Sequence, residues 1–159
     1  QLVIGSAAGQ RTIPVESYFT GPGRNSLEPG ELLVRIIVPA QPAHSGAFFH
    51  RFIPRNEMDI AVASAGVRIV LNAAGDRIES ARVALGAVGP TPLMVPAAAT
   101  ALVGQAPGAA AFAKAAEAAE AMASPITDMR GSIAQRNRLS AVLTTRALEG
   151  ALKRAQEAR

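Results

Sequence analysis

The sequence contains no cysteine and no tryptophan, and aromatic residues make up only 4% of its 159 residues. Without cysteine the chain forms no disulfide, no iron–sulfur site and no thiolate zinc site. The absence of cysteine fits a reducing compartment, and we expect a cytoplasmic protein. Its sixteen Lys and Arg are spread along the chain without a run of five or six, and they are not interleaved with aromatic residues. This pattern argues against a nucleic-acid partner.

Long apolar runs are also lacking. No stretch reaches the roughly 18 apolar residues that a membrane span requires, so no span is expected. A basic segment followed by an apolar one, as in an export signal, is absent too. The chain begins with the apolar segment Gln1-Leu2-Val3-Ile4 and has no initiating methionine. We interpret this start as the middle of a strand in a longer protein.

The usual catalytic motifs are missing as well. The sequence has no glycine-rich phosphate loop of the Rossmann or P-loop form, and no serine lies in a Gly-x-Ser-x-Gly context. His44 and His50 have no carboxylate partner at the spacing of metal ligands. By itself the chain therefore carries no complete active site.

The residues that are present favour a modest core made of small side chains. Hydrophobic residues make up 49% of the chain, and the net charge is +4. This length suits one domain, or one domain and part of another. Pro39, Pro42, Ser45 and Gly46 make segment 39–47 the best candidate for a domain boundary.

The first half of the chain is typical of strands and turns. Strands are predicted in three segments, and turns or loops in two. The predicted strands are Gln1–Ile4, Glu31–Val38 before Pro39, and Phe48–Phe52. The predicted turn covers Gly5–Gln10, and the predicted loop covers 20–30.

An antiparallel hairpin follows. From Ala61 to Leu71 the odd positions are all apolar, which predicts a strand with one face on a core. Asn72–Asp76 is a turn in which Gly75 can adopt positive φ, and Ile78–Leu85 is the returning strand. Gly86, Gly89 and Pro90-Thr91-Pro92 are expected to form a tight connection after it.

Helices are predicted in the second half. Alanine fills ten of the fifteen positions of Ala109–Ala123, and Ser124-Pro125 should end that helix. Ser132–Gln135 has the form of a capping box, so another helix should begin there. Its apolar positions recur at helical spacing and can pack on a sheet: Leu139, Val142, Leu143, Leu148, Ala151, Leu152 and Ala155. Strands followed by helices indicate an α+β fold, with a small antiparallel sheet of three to four strands against C-terminal helices.

Charged residues are concentrated where segment Arg51–Ala61 leads into the apolar strand. Such a loop is either a binding edge or simply the start of a strand. Arg55 and Asp59 are expected to pair locally. The four arginines that flank or line the last helix are interpreted as a solvated face, with a subunit contact as the alternative: Arg130, Arg136, Arg138 and Arg146.

Five segments occur in an order and spacing that are fairly specific when taken together. They are Gly9-Gln10-Arg11-Thr12-Ile13-Pro14, Tyr18-Phe19-Thr20-Gly21-Pro22-Gly23, Leu27-Glu28-Pro29-Gly30-Glu31-Leu32, Gly86-Ala87-Val88-Gly89-Pro90-Thr91-Pro92 and Asp128-Met129-Arg130-Gly131-Ser132. Together they resemble the medium, FAD-binding subunit of the molybdenum hydroxylases, a family that includes xanthine and carbon monoxide dehydrogenases. The resemblance covers about residues 3–155.

The resemblance implies a fold like the C-terminal domain of the carbon monoxide dehydrogenase flavoprotein. Residues 1–30 would be the end of the FAD-binding domain and its exit linker, 31–44 a connecting strand and linker, and 45–159 the C-terminal domain. In the family, FAD is held mainly by two glycine-rich loops of the N-terminal domain, and neither loop occurs here. The expected half of the site is therefore the part that closes over the flavin.

Three cofactor-binding residues are implied by position in the family. Arg51 matches a basic residue near the isoalloxazine, and Asp59 and Ile60 match an Asp followed by an apolar or aromatic residue beside it. The alternatives are a surface arginine at a strand edge, a cap at the start of a strand, and a core residue. In the NAD-reducing branch Asn56 and Met58 are replaced by charged residues, so NAD is a less favoured acceptor.

The resemblance further implies that the parent subunit passes electrons from molybdenum and [2Fe–2S] centres through FAD to an external acceptor. The molybdenum cofactor would lie in a large partner subunit and the [2Fe–2S] clusters in a small one. The isolated fragment would be inactive as an oxidoreductase. A structural domain that docks subunits without contacting flavin is the alternative.

Overall fold

The computed structural model describes residues 1–55 and 58–158 and divides the chain into two compact units. The units are Gln1–Gln41 and Pro42–Arg159. Of the charged loop singled out from the sequence, Asn56 and Glu57 lie outside the described residues. Segment 31–44 spans the division, and its strand belongs to the sheet of the first unit.

The first unit is built on a sheet with strand order β2-β1-β5. Leu2, Val3 and Ile4 of the central strand are buried, as their apolar side chains require. The strands are β1 (Leu2–Ser6), β2 (Gly9–Ile13) and β5 (Leu32–Ile36); a 3₁₀ helix (Val15–Ser17) and a hairpin of β3 (Phe19–Gly21) and β4 (Arg24–Asn25) lie between them.

An ion pair joins β2 to the residue that precedes β5. Arg11 Nη2 lies 2.7 Å from Glu31 Oε2 and also donates to Ser26 O at 2.9 Å. Hydrogen bonds from the Arg11 side chain and from the Glu28 N–H lower the pKa of Glu31 from 4.5 to about 2.

Two of the sequence predictions for this unit are wrong in extent. Segment 20–30 is not loop throughout, because β3 and β4 pair within and next to it. The predicted turn Gly5–Gln10 is shorter, since β1 and β2 continue their ladder to the pair Ser6–Gly9. Small residues in a hairpin do not by themselves mark where pairing ends.

The second unit contains an antiparallel sheet with strand order β6-β7-β8-β9. The predicted alternation is confirmed: Ala63, Ala65, Val67, Ile69 and Leu71 are buried. The predicted turn is confirmed as well, with Gly75 at φ 77°. The strands are β6 (Ser45–Phe52), β7 (Ala63–Leu71), β8 (Ile78–Gly86) and β9 (Leu93–Met94).

Helices cover one face of this sheet. They are α1 (Pro96–Leu102), α2 (Ala109–Met122) and α3 (Ile133–Glu157). The capping box is confirmed, since the Ser132 side chain accepts from Gln135 N at 3.2 Å. Neither α1 nor β9 was predicted; both are short and lack a periodic pattern. The α+β class with a small antiparallel sheet packed on C-terminal helices is confirmed for the described residues.

Glycine allows α3 to lie directly on the edge strand β6. A Cβ atom at Gly46 would overlap Ala151 O and lie 2.5 Å from Ala155 N. On the helix side, a Cβ at Gly150 would meet the Phe48 ring at 2.5 Å. Alanines on the facing surfaces of α2 and α3 extend this close packing.

The C-terminal end of α3 is tied to the beginning of β6. Arg154 Nη1 donates to Ala47 O at 2.7 Å, and its guanidinium carbon lies 4.7 Å from the centre of the Phe48 ring. His44 N donates to Ala158 O at 2.9 Å. These bonds join residues that are about a hundred positions apart in the chain.

Candidate functional site

The candidate site is the β6–β7 loop, which is closed at its base. Phe52 pairs with Ala63, and Val62 N donates to Phe52 O at 2.9 Å. The chain therefore leaves the sheet after β6 and returns beside the same point. Asp59 and Ile60 lie in this loop, whereas Arg51 lies in β6 just before it.

Asp59 orders the loop from within. Its carboxylate accepts from Arg55 N at 3.0 Å and from Ile60 N at 2.9 Å. The predicted local ion pair is confirmed, with Arg55 Nε 3.5 Å from Asp59 Oδ2. Burial alone would raise the pKa of Asp59, but the side-chain and backbone hydrogen bonds from Arg55, together with the Ile60 N–H, hold the pKa below its ordinary value.

Ile60 presents an apolar side chain to its surroundings. It is 61% exposed, so the alternative that it belongs to the core of this unit is wrong. Met58, nearby in the loop, is 99% exposed and has a positive φ of 50°. An exposed isoleucine on a loop held by hydrogen bonds is suited to contact a flat apolar surface.

Arg51 lies on the face of the sheet that points away from the helices. It is exposed and pairs with Ser64 across the β6–β7 ladder. Phe49 and Ala47 alternate with it on the same face. Among the described residues, no hydrogen bond or ion pair joins Arg51 to Asp59. The structure thus places the predicted residues at one β6–β7 connection without linking Arg51 directly to the other two.

Arg136 was wrongly assigned to a solvated face. Its residue exposure is 5%, and Nη1 donates to Val62 O at 2.8 Å and to Ala87 O at 3.2 Å. Nη2 donates to Asp128 Oδ1 at 2.7 Å. The guanidinium therefore joins the beginning of β7, the residue after β8 and the turn before α3.

A sequence signal for this role existed. Arg136 precedes Ser140 and Leu143 at the helical spacing of the buried stripe, so it lies on the face of α3 that packs on the sheet. Arg138 and Arg146, by contrast, are exposed as predicted.

Asp128 anchors the turn that precedes α3. Its backbone pairs with Gly131, and its Oδ1 atom accepts from Arg130 N at 2.8 Å. The Arg130 N–H and the Arg136 guanidinium hold the pKa of Asp128 below its ordinary value, against the opposing effect of partial burial. Met129 at the tip of this turn is 93% exposed.

Residues 1–55 and 58–158 contain no group of His, Cys, Asp or Glu side chains that would hold a metal ion. Over the same residues, no helix is both long and apolar enough to cross a membrane.

Residues 48–151 match the model of the CO dehydrogenase flavoprotein C-terminal domain. The chain belongs to this family. Residues 1–41 match the FAD-binding domain in molybdopterin dehydrogenase, in agreement with the resemblance seen in the sequence. The second unit is therefore a CO dehydrogenase flavoprotein C-terminal domain, preceded by a segment of FAD-binding-domain type.

Individual relatives agree with this family. The carbon monoxide dehydrogenase medium chain of Afipia carboxidovorans is 35% identical over 93% of this chain and 50% of that protein. The xanthine dehydrogenase FAD-binding subunit of Escherichia coli O157:H7 is 34% identical over 58% of this chain and 32% of that protein. A solved carbon monoxide dehydrogenase from Hydrogenophaga pseudoflava superposes with a TM-score of 0.90 at 33% identity, covering 96% of this chain and 52% of that chain. The chain spans about half the length of these medium chains.

The loop fits the group that the family implies. An isoalloxazine ring offers a flat, largely apolar face, and Ile60 is an exposed apolar side chain between the ordered residues Asp59 and Val62. Arg51 adds an exposed cation at the same connection. The described residues supply no glycine-rich loop for the FAD pyrophosphate, so they suit the ring and not the phosphates.

Proposed function

We propose that this chain is the part of a molybdenum hydroxylase FAD subunit that closes over the flavin, with Arg51 and Ile60 facing the isoalloxazine and Asp59 ordering the loop beside it. The observation that carries the proposal is the exposed Ile60 on a loop fixed by Asp59. Membership of the CO dehydrogenase flavoprotein C-terminal domain family supports it.

Each residue would have a separate task. Ile60 would cover one face of the ring and exclude water from it. Arg51 would place a positive charge near the ring and favour the electron-rich reduced form. Asp59 would keep the loop in shape and remain ionised, because its hydrogen bonds and Arg55 hold its pKa low. The bound FAD supplies the redox chemistry, and these side chains tune and shield it.

In the parent enzyme, electrons from a molybdenum cofactor in a large subunit would cross [2Fe–2S] clusters in a small subunit and reach this FAD subunit. The neutral Met58 makes NAD a less favoured external acceptor than in the NAD-reducing branch; Asn56, the other neutral position in that comparison, lies outside the described residues. The complete lack of cysteine supports a cytoplasmic location.

The test uses the full-length subunit, because the phosphate-binding loops are not in this chain. Ile60→Asp places a carboxylate against the ring and is expected to shift the visible flavin spectrum and weaken FAD binding. Met58→Asp is the matched control, since Met58 is 99% exposed in the same loop. An unchanged spectrum and affinity in Ile60→Asp, or equal changes in both variants, would refute the flavin contact.

A second candidate function is subunit docking without flavin contact. It is favoured by the exposed apolar side chains of Met58 and Met129, which suit a protein interface. Under this reading Met58→Asp would prevent assembly with the large or small subunit while the flavin spectrum stays normal. Gel filtration of the reconstituted complex distinguishes the two functions.

A further inference from the structure

We propose that Arg136 is a positioning residue for the flavin: its guanidinium fixes the end of the β6–β7 loop and thereby holds the exposed side chain of Ile60 in place. This inference rests on the proposed function, because it requires Ile60 to meet the ring.

Val62 is the point where the loop is attached. It is fully buried and is held on both sides of its peptide backbone: its N–H donates to Phe52 O at 2.9 Å, and its carbonyl accepts from Arg136 Nη1 at 2.8 Å. The first bond sets the distance between the two ends of the loop. The second sets the direction from which the chain enters β7.

Arg136 is itself immobilised by partners from separate segments. Besides Val62 O, it donates to Ala87 O at 3.2 Å and to Asp128 Oδ1 at 2.7 Å. A planar guanidinium offers donors in fixed directions, so one arginine can serve all of these acceptors. A lysine at this position keeps the charge but, as a compact point charge, cannot maintain the same set of bonds.

Ile60 lies between two fixed points. On one side its own N–H donates to Asp59 at 2.9 Å; on the other, Val62 is held by Arg136. Its side chain has little core packing to orient it, since it is 61% exposed. The backbone on both sides of Ile60 is therefore held by hydrogen bonds without a ligand, which lowers the entropic cost of contact.

The experiment compares Arg136→Lys, Ile60→Ala and the double variant in the full-length subunit loaded with FAD. Arg138→Lys is the matched control, because Arg138 lies on the same helix with its side chain 75% exposed and 3.6 Å from Glu120. The measurements are quenching of flavin fluorescence by iodide, the visible flavin spectrum and the melting temperature.

Arg136→Lys should retain FAD and raise the iodide quenching constant about twofold or more, with a spectral shift in the direction of Ile60→Ala. In the Ile60→Ala background the lysine substitution should add nothing, because the effect is transmitted through Ile60. A lowered melting temperature with wild-type quenching and spectrum overturns the inference. So does an additive effect in the double variant.

These outcomes separate the inference from the proposed function. If Ile60→Ala leaves the flavin unchanged, the flavin contact fails and the role of Arg136 fails with it. If Ile60→Ala disturbs the flavin and Arg136→Lys does not, only the role of Arg136 is overturned. Should Arg136→Lys not fold, Asp128→Asn keeps the arginine but weakens one of its contacts. A smaller shift in the same direction is then expected, and no shift overturns the inference.

Discussion

Two arginine–carboxylate pairs hold the candidate site, one within the β6–β7 loop and one at its end, and they are built in opposite ways. In the Arg55–Asp59 pair the arginine side chain is 75% exposed and the carboxylate only 6%. In the Arg136–Asp128 pair the arginine side chain is 6% exposed and the carboxylate 31%. The buried side chain of each pair binds two backbone groups: Asp59 accepts from Arg55 N and Ile60 N, and Arg136 donates to Val62 O and Ala87 O. Of the exposed partners, the Arg55 side chain mainly neutralises Asp59, whereas Asp128 also accepts from Arg130 N within its own turn. Burial, and not charge pairing, therefore shows which residue determines the local structure.

The largest effect should come from Arg136→Met. This change leaves Val62 O and Ala87 O without their buried donor, so we expect a loss of unfolding free energy on the order of 3 kcal/mol. Urea unfolding of the full-length subunit measures it. Arg138→Met removes an exposed arginine from the same helix and should be nearly neutral. Equal losses in the two variants would show that burial does not distinguish them.

A smaller and more local effect is expected for Asp59→Ala. The N–H groups of Arg55 and Ile60 lose their acceptor, so these amides should exchange with solvent faster while the melting temperature changes little. Hydrogen exchange followed by mass spectrometry measures this. If the loop amides exchange with solvent as slowly as in the wild type, Asp59 does not order the loop.

The pH dependence of stability should differ between Glu31 and the two aspartates Asp59 and Asp128. A lowered native pKa means that the stabilising contribution is complete above the unfolded value and is lost as the pH falls through the native value. For Glu31 this window runs from 4.5 down to about 2. For Asp59 and Asp128 it begins at 3.8 and extends downward. Carboxyl carbon shifts in NMR should titrate below these ordinary values, and a midpoint at or above them would contradict the hydrogen bonding described.

The smallest effect on stability should be that of Arg55→Ala. Its side chain is 75% exposed, so the melting temperature should remain unchanged within error. The titration midpoint of Asp59 should nevertheless rise, because the effect of burial then meets less opposition. Comparison of the variant's NMR titration with that of the wild type provides the check. A clear loss of stability would indicate that the exposed partner is also structural.

The contrast between the pairs also explains what could be predicted from the sequence. The Arg55–Asp59 pair, the alternation along β7, the turn at Gly75 and the Ser132 cap depend on neighbours within a few residues, and each was predicted. Such features follow from local spacing and backbone preference. The exposed position of Ile60 was not decided by local pattern, because an isoleucine at the start of an apolar strand equally fits a core.

The role of Arg136 depends on partners that are remote in sequence. Val62 and Ala87 are 74 and 49 residues away, and they meet the guanidinium only after the sheet and α3 have packed. Charge alone suggested a solvated residue. The spacing of Arg136 from Ser140 and Leu143 on α3 points instead to the buried face, so charge and helical spacing conflict at this position.

The attachment of α3 to the start of β6 bears on where this domain can be truncated. The family match ends at residue 151, and a chain cut there would lose both Arg154, which binds Ala47 O, and Ala158, which accepts from His44. The lost hydrogen bonds would leave the start of β6 unsupported, at the N-terminal side of the domain. Expression boundaries for this domain should therefore extend through residue 158.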